Sequence, residues 1–312
     1  MSRGADNDRW FHPAGSLRAD GCDVVLGAAG GPIEGWERTG LVTVTLAPGE
    51  SLTREAGPWE TVVVPLAGAV TVTVSRDGTE ETVELAGRES VFAGPTDIAY
   101  APRATALTLT GAGGGDGDGT GGPSRVALCL ARDETGRAAP PVTHLAAAEV
   151  PIELRGAGVA SRQVRNFGVP GVLDANRIIA CEVITPAGNW SSWPPHKHDT
   201  ERPGVEAELE EIYYFETRST DERGTDAVGY QRVYGTTDRP IDVLAEVRSG
   251  DVVLVPHGWH GPAIAAPDAD LYYLNVMAGP GPERAWLICD DPVHAWVRES
   301  WPDLPVDPRL TD

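Results

Sequence analysis

Residues 69–85 read AVTVTVSRDGTEETVEL, and this stretch constrains the fold more than any other part of the sequence. Valine recurs at every second position before Asp77 and Gly78, a dipeptide typical of a tight hairpin turn, and Val83 and Leu85 resume the alternation after it. A period of two places alternate side chains on opposite faces of a strand, which predicts a hairpin with one buried face. Further strands are predicted at 41–50, 60–68, 125–132, 176–188, 210–217, 229–235 and 251–258. We therefore expect an all-β protein, with THLAAAEV at 143–150 as the best short helix.

Two similar strand sets divide the sequence, one at about 40–135 and the other at about 175–290. In each set a glycine, an apolar pair and a proline follow one another late in the set, at 87–102 and at 250–267. This repetition predicts two barrel-like domains, 1–145 and 146–312, joined within 138–151. The glycine-rich segment 111–124 is predicted to be a flexible surface loop.

The charge balance argues against several classes of partner. The 312-residue chain has 25 basic and 46 acidic residues, a formal net charge of −21 and a pI near 4.6. Nucleic acids and anionic membranes are bound by clustered lysine and arginine, so neither is an expected partner. The N-terminus has no apolar signal-peptide core, and no apolar stretch is long enough to span a membrane. Together these features predict a cytoplasmic protein. The four cysteines lack metal-site spacing, and we expect inert buried thiols.

Five of the seven histidines lie in the second half of the sequence, and two of them flank Lys197 in the string His196-Lys197-His198. In extended backbone His196 and His198 are expected to project to one side and Lys197 to the other. Alone, such a pair can also be a solvated loop. A carboxylate at the start of strand 210–217 and the histidines of PHGWH, 256–260, can complete a site for one divalent ion such as zinc, iron(II), manganese or nickel.

These residues resemble the metal-binding motifs of the cupin superfamily, small β-barrels with a metal at the mouth. The His-x-His pair is followed, after an acidic insertion at 199–209, by Glu210 or Glu211. The segment 250–260 is one residue shorter than the second cupin motif. From the spacing alone, either glutamate can be the carboxylate ligand, and His257 competes with His260 as the third histidine.

A narrower resemblance is to the 5-deoxy-glucuronate isomerases of myo-inositol catabolism, which are related to 4-deoxy-L-threo-5-hexosulose-uronate ketol-isomerases. It rests on four strings that occur in order, PPHKHD, LEEIYYF, VLVPHGWHGP and DLYYLNVMAGP. The resemblance implies two tandem cupin domains, of which only the C-terminal one holds a divalent transition metal, with zinc, manganese and iron equally suitable. It also implies a homo-oligomer and a small anionic deoxy-sugar acid substrate, 5-deoxy-D-glucuronate, converted to 5-dehydro-2-deoxy-D-gluconate. The metal ligands implied are His196, His198, Glu211 and His260, with His257 as second choice.

The reaction implied by this resemblance is an aldose–ketose isomerisation, in which hydrogen moves between adjacent carbons through an enediol or as a metal-assisted hydride. Candidate groups for the proton transfer are Glu208, Glu210, Tyr213 and His257, and also Lys197 if a bulge turns it inward. Arg232, and more weakly Arg162 and Arg165, can bind the substrate carboxylate. Two other functions remain open, an iron(II) dioxygenase of the cupin type and a non-catalytic sugar-binding cupin.

Overall fold

The computed structural model describes residues 3–27, 33–113, 122–221, 224 and 226–311, and these residues form a protein built almost entirely of strands. The first strands are β1 (Phe11–His12), β2 (Val24–Leu26), β3 (Thr39–Leu46), β4 (Ser51–Arg54), β5 (Trp59–Arg76), β6 (Thr79–Arg88), β7 (Ile98–Ala101), β8 (Ala106–Gly113), β9 (Ser124–Arg132) and β10 (Thr143–Leu145). The later strands are β11 (Ile152–Arg155), β12 (Arg162–Gly168), β13 (Ile179–Thr185), β14 (Trp190–Ser191), β15 (His196–Lys197), β16 (Asp199–Arg202), β17 (Glu206–Glu208), β18 (Glu210–Ser219), β19 (Gly229–Tyr234), β20 (Asp242–Val247), β21 (Val252–Val255), β22 (Trp259–Ala265), β23 (Ala269–Ala278) and β24 (Cys289–Asp290).

Helical structure among the described residues is limited to short turns. The α-helices are α1 (Asn7–Trp10) and α2 (Val297–Ser300), and 3-10 turns lie at Val91–Ala93, Ala147–Glu149, Gly158–Ala160, Trp301–Asp303 and Pro308–Leu310. No helix in the described part of the chain is long and apolar enough to cross a membrane. The all-β class predicted from the sequence is confirmed.

The hairpin predicted at 69–85 is present, formed by β5 and β6. Asp77 and Gly78 have φ angles of 52° and 77°, the left-handed conformation that a two-residue hairpin turn of type I′ requires at both positions. The helix predicted at 143–150 is wrong, because Thr143–Leu145 pairs with β7 and only one 3-10 turn follows it. An eight-residue helix is marginal by itself, and pairing along a strand edge satisfies the same backbone groups. Most of the predicted glycine-rich loop, 114–121, lies outside the described residues.

One of two compact units contains residues 17–151 and 167–180. Its sheet has the order β10-β7-β5-β9-β3-β2, with β6 and β8 added along β5 and β4 along β8. The long strand β5 serves both parts, because its first half pairs with β7 and β9 and its second half with β6 and β8. Its interior is packed with valine and leucine side chains that are almost entirely buried.

The other unit contains the described residues up to Ser16, 152–166 and 181–311. Its larger sheet runs β1-β21-β18-β23-β13-β12-β11, and its second sheet runs β20-β19-β22-β15-β24 with β14 added along β22. The strands β16 and β17 form a separate pair. The boundary predicted between residues 145 and 146 stays a prediction; the N-terminal strand β1 pairs with β21 of this second unit.

Candidate metal centre and active site

Three buried histidines meet inside the second unit. His196 of β15 and His260 of β22 are direct partners in an antiparallel pair, and residues paired in this way project to the same face. The His260 ring centroid lies 4.5 Å from that of His196 and 4.7 Å from that of His198. One ring nitrogen of each histidine lies within 4.8 Å of the other two, which is close enough for all three to bind one ion.

Glu211 brings a carboxylate to the same point from β18 of the larger sheet. Its Oε2 atom lies 3.0 Å from Nε2 of His198 and 3.2 Å from Nε2 of His260. The backbone of Glu211 is paired on both sides, with Val255 of β21 and Met277 of β23, so the carboxylate is fixed in the middle of a sheet. The structure therefore brings together all four residues that the family resemblance implies as ligands.

The hydrogen bonds of the outer ring nitrogens indicate a cation site. Nδ1 of His198 lies 3.1 Å from the Leu209 carbonyl oxygen, and Nδ1 of His260 lies 3.2 Å from that of Gly258. A carbonyl only accepts, so each Nδ1 carries a hydrogen, and a ring with no second hydrogen turns a lone pair on Nε2 toward Glu211. These lone pairs and the carboxylate repel one another unless a cation or a proton lies between them. Nε2 of His260 is buried and makes no hydrogen bond to any described residue, as expected for a metal-binding histidine.

Charge and burial set the protonation of the cluster. Burial, with His260 and His198 nearby, holds the pKa of His196 well below its usual 6.5. Burial acts to raise the pKa of Glu211, but the contacts with His198 and His260 outweigh it and lower that pKa to about 2. Burial acts to lower the pKa of His198, and the Glu211 carboxylate raises it more strongly. The ionised Glu211 carboxylate and the unprotonated His196 ring are in the form that binds metals, and a divalent ion would take the place of the proton that Glu211 favours on His198, so the residues present fit such an ion.

Tyr213 belongs to a buried cluster of hydroxyl groups beside the histidines. Its ring centroid lies 6.2 Å from that of His260 and 5.0 Å from that of Tyr273. The Ser192 Oγ atom lies 3.4 Å from the Tyr213 hydroxyl oxygen and 3.3 Å from that of Tyr273. Burial and the Glu211 charge raise the pKa of Tyr213 well above 10, so its hydroxyl stays protonated at neutral pH. The sequence reasoning missed Ser192 and Tyr273, although Tyr273 lies in one of the strings that carry the family resemblance.

Arg162 places a buried positive charge close to the histidines. Only 5% of the residue is exposed, and its charge contributes to the lowered pKa of His196. Its Nη1 atom donates to the Ala160 carbonyl oxygen at 3.0 Å, and none of the described carboxylates forms an ion pair with it. Its guanidinium lies 5.6 Å from the ring centroid of Trp301. Burial lowers the pKa of Arg162 to about 10, which leaves it charged at neutral pH and in need of an anion.

Five other candidates have their contacts away from the three histidines. Arg232 is one-third exposed, forms an ion pair with Asp242 and donates to the Val243 carbonyl oxygen at 2.9 Å. His257 lies in the turn between β21 and β22, and its Nε2 atom is 3.3 Å from the Pro240 carbonyl oxygen. Glu210 precedes Glu211 in β18 and so faces the opposite side of the sheet. Glu208 lies in β17, outside both larger sheets. Arg165 is buried, and its Nη1 atom lies 3.7 Å from the Glu182 carboxylate.

Lys197 lies in an ion-pair network with the acidic insertion that follows it. Its Nζ atom is 2.6 Å from Asp199 Oδ1 and 2.7 Å from Glu206 Oε1. The Glu206 side chain is fully buried and is also paired with Arg202. Burial acts to lower the pKa of Lys197, but the two carboxylates outweigh it and raise that pKa. These contacts favour a role for Lys197 in folding the insertion rather than in proton transfer.

Replacing Lys197 by methionine is therefore expected to lower the free energy of unfolding by about 2 kcal/mol at pH 7, because two largely buried carboxylates lose their common cation. Neighbouring groups hold the pKa of Glu206 below its usual 4.5, so the wild-type advantage is complete above that pH and is lost as the pH falls below it. Urea unfolding of both proteins at pH 7 and pH 4 measures this. Arg18→Met, which removes an exposed ion pair with Asp23, is the control and should cost under about 0.5 kcal/mol. Unchanged stability with a large loss of kcat would instead indicate a catalytic role.

Comparisons with known proteins bear on the family and the fold of this chain. The family model described as the KduI/IolB family matches residues 11–297. A 5-deoxy-glucuronate isomerase of Geobacillus kaustophilus is 38% identical over 272 residues, which cover 85% of this chain and 88% of that protein. The crystal structure of an IolB-like protein from Salmonella typhimurium LT2 superposes with a TM-score of 0.77 and 32% identity, covering 93% of this chain and 99% of that one.

A more distant structure supports the fold alone. The formate complex of oxalate decarboxylase from Lactobacillus farciminis superposes with a TM-score of 0.60 over 90% of this chain and 88% of that one, at 11% identity. That protein has a cupin-like fold. At this identity the similarity carries over the β architecture and nothing of the chemistry.

Proposed function

The chain belongs to the KduI/IolB family, and from this premise we propose that it is a 5-deoxy-glucuronate isomerase, the activity for which the Geobacillus kaustophilus relative is named. The observation that carries the proposal is the buried cluster of His196, His198, His260 and Glu211, found in a chain of this family. In this proposal the substrate is 5-deoxy-D-glucuronate, an aldose, and the product is the ketose 5-dehydro-2-deoxy-D-gluconate.

The proposal includes one divalent transition metal, zinc, manganese or iron, held by these four residues. When bound, such an ion polarises the carbonyl and the neighbouring hydroxyl of the substrate. The hydrogen on the carbon that bears this hydroxyl then becomes easier to move. It further includes two tandem cupin domains, 1–145 and 146–312, with the metal in the second, and a homo-oligomer in the cytoplasm.

Arg162 is proposed to hold the carboxylate of the substrate. The guanidinium is buried, charged and without a carboxylate partner among the described residues, and its charge acts on His196 of the cluster. An arginine fork binds a carboxylate through two parallel hydrogen bonds, which fixes orientation as well as position. Arg232 already has Asp242 as its partner, which makes it the weaker candidate.

Tyr213 is proposed to donate a hydrogen bond or a proton to a substrate oxygen during the isomerisation. Its hydroxyl is buried beside His260 and stays protonated at neutral pH, so it acts as a donor and not as a base. Ser192 and Tyr273 hold this hydroxyl in place and give it a route for replacing a proton.

The direct test is to add 5-deoxy-D-glucuronate to the purified protein and follow the proton NMR spectrum. Loss of the aldose signals and growth of those of the ketose are expected. The same reaction in D2O distinguishes the two routes, because an enediol exchanges the migrating hydrogen with solvent and a hydride shift retains it. Absence of conversion by metal-loaded protein would contradict the proposed function.

A further inference from the structure

Gln231 has a buried side-chain amide with no partner. The residue is fully buried, and neither Nε2 nor Oε1 makes a hydrogen bond to any described residue. A buried amide without partners costs free energy, so native proteins rarely keep one unless water or a ligand binds it. The proposed chemistry described so far makes no use of this residue.

The strand register places Gln231 on the same side of its sheet as the histidines. In β19 the buried residues Gly229, Gln231 and Val233 alternate with half-buried ones. Val233 is the direct partner of His260 in β22, and paired residues project to one face. Against β20 the register is regular through Gln231 and Val233, so both side chains project to the face that also carries His260.

The strand neighbours of Gln231 are two alanines and, beyond one of them, a serine. Its Cα partners are Ala245 in β20 and Ala263 in β22, both buried. On the far side of Ala263 lies Ser191 of β14, whose hydroxyl donates to the Ala263 carbonyl oxygen at 3.1 Å. Alanine has no polar side-chain atom, so neither partner can form a side-chain hydrogen bond with the amide. The unpaired donor and acceptor therefore face the interior in which the histidine cluster lies.

We propose that Gln231 binds the polyhydroxy chain of the sugar acid, with Nε2 donating to one substrate oxygen and Oε1 accepting from a substrate hydroxyl. This inference rests on the proposed function, because a hydroxylated open-chain substrate supplies both complementary groups. The amide then selects for substrates that carry a hydroxyl at the matching carbon, since an analogue without it leaves the amide unpaired. Gln231 is in this account a positioning and specificity residue, and the proton transfer lies elsewhere.

The test compares Gln231→Met with Gln163→Met, because these are the only two glutamines in the chain and methionine nearly preserves their volume. Gln163 serves as the control, since its Oε1 accepts from Arg165 Nε at 2.9 Å and so has a structural partner. For Gln231→Met we expect kcat/KM to fall about tenfold to a hundredfold, as one or two hydrogen bonds are lost. The midpoint of thermal unfolding should stay equal or rise, and metal content should not change. Gln163→Met should lower the midpoint and leave kcat/KM intact.

Kinetic constants for Gln231→Met that match the wild type would overturn the inference and leave the amide bound to water only. If Gln231→Met does not fold, Gln231→Asn takes its place in the test, because the asparagine side chain is one carbon shorter and withdraws the amide from the substrate. An undiminished kcat/KM in Gln231→Asn would also overturn the inference. Calorimetric titration with the product separates this failure from failure of the proposed function. Wild-type protein that neither binds nor converts the sugar acid contradicts the function itself. Wild-type protein that does both, beside an unaffected Gln231→Met variant, contradicts only the role of Gln231.

Discussion

Replacing His260 by alanine is expected to remove the bound metal and to lower kcat/KM more than about a hundredfold, because an ion that stabilises developing charge is worth several kcal/mol to an isomerisation. His260 is in contact with every other member of the cluster. Its ring centroid lies within 5 Å of those of His196 and His198, and its Nε2 atom is 3.2 Å from Glu211 Oε2. The measurement is metal content per chain by mass spectrometry together with the isomerase rate. Circular dichroism checks that the variant is folded.

His257→Ala is the matched control for this variant. His257 lies three residues before His260 and competes with it as a ligand on sequence spacing alone, but its ring is in a turn and contacts the Pro240 carbonyl. The variant should keep its metal and nearly all of its activity. Metal retained in His260→Ala and lost in His257→Ala would reverse the assignment of the third histidine.

Replacing Arg162 by methionine is expected to raise KM for the sugar acid about tenfold to a hundredfold, because a hydrogen bond to a charged group contributes about 1.5–3 kcal/mol. The buried guanidinium has one backbone acceptor and no ion pair among the described residues, so its main interaction is predicted to be with the substrate carboxylate. Removing a buried, uncompensated cation should not lower the free energy of unfolding. Steady-state kinetics and urea unfolding measure the two effects.

Arg232→Met is the control for the arginine assignment. That variant removes a half-buried ion pair with Asp242, so a small loss of stability and an unchanged KM are expected. If instead Arg232→Met raises KM and Arg162→Met does not, the carboxylate binds at the outer face of β19 and the placement inside the second unit is wrong.

The all-β class and the β5–β6 hairpin were predictable from local patterns, because a period of two and a left-handed turn dipeptide are short-range features. Asp77 and Gly78 specify a tight turn, and the alternation around them specifies which side chains are buried. The pairing of Phe11 with Val253 could not be predicted, since it joins positions far apart in the chain that share no sequence signal. The helix expected at 143–150 failed for a related reason: the edge of β7, a long-range partner, decided the conformation.

The candidate site was likewise predictable only in part. His196 and His198 could be placed on one side of the chain from their spacing, whereas Glu211 was preferred to Glu210, and His260 to His257, through the family resemblance. Alternation in 229–235 separated two faces of a strand without indicating which one is inside, so the sequence reasoning proposed Arg232 and did not consider Gln231. Burial of the alternate face is decided by the neighbouring strands β20 and β22, which lie later in the sequence.

Metal reconstitution tests the central claim most directly. Protein stripped by a chelator is titrated with zinc, manganese or iron(II), and isomerase activity and bound metal are recorded at each addition. The account predicts negligible activity in the stripped protein, and recovery that rises in proportion to bound metal and saturates at one ion per chain. Full turnover of 5-deoxy-D-glucuronate by stripped protein, or recovery that His260→Ala shares with the wild type, would contradict it.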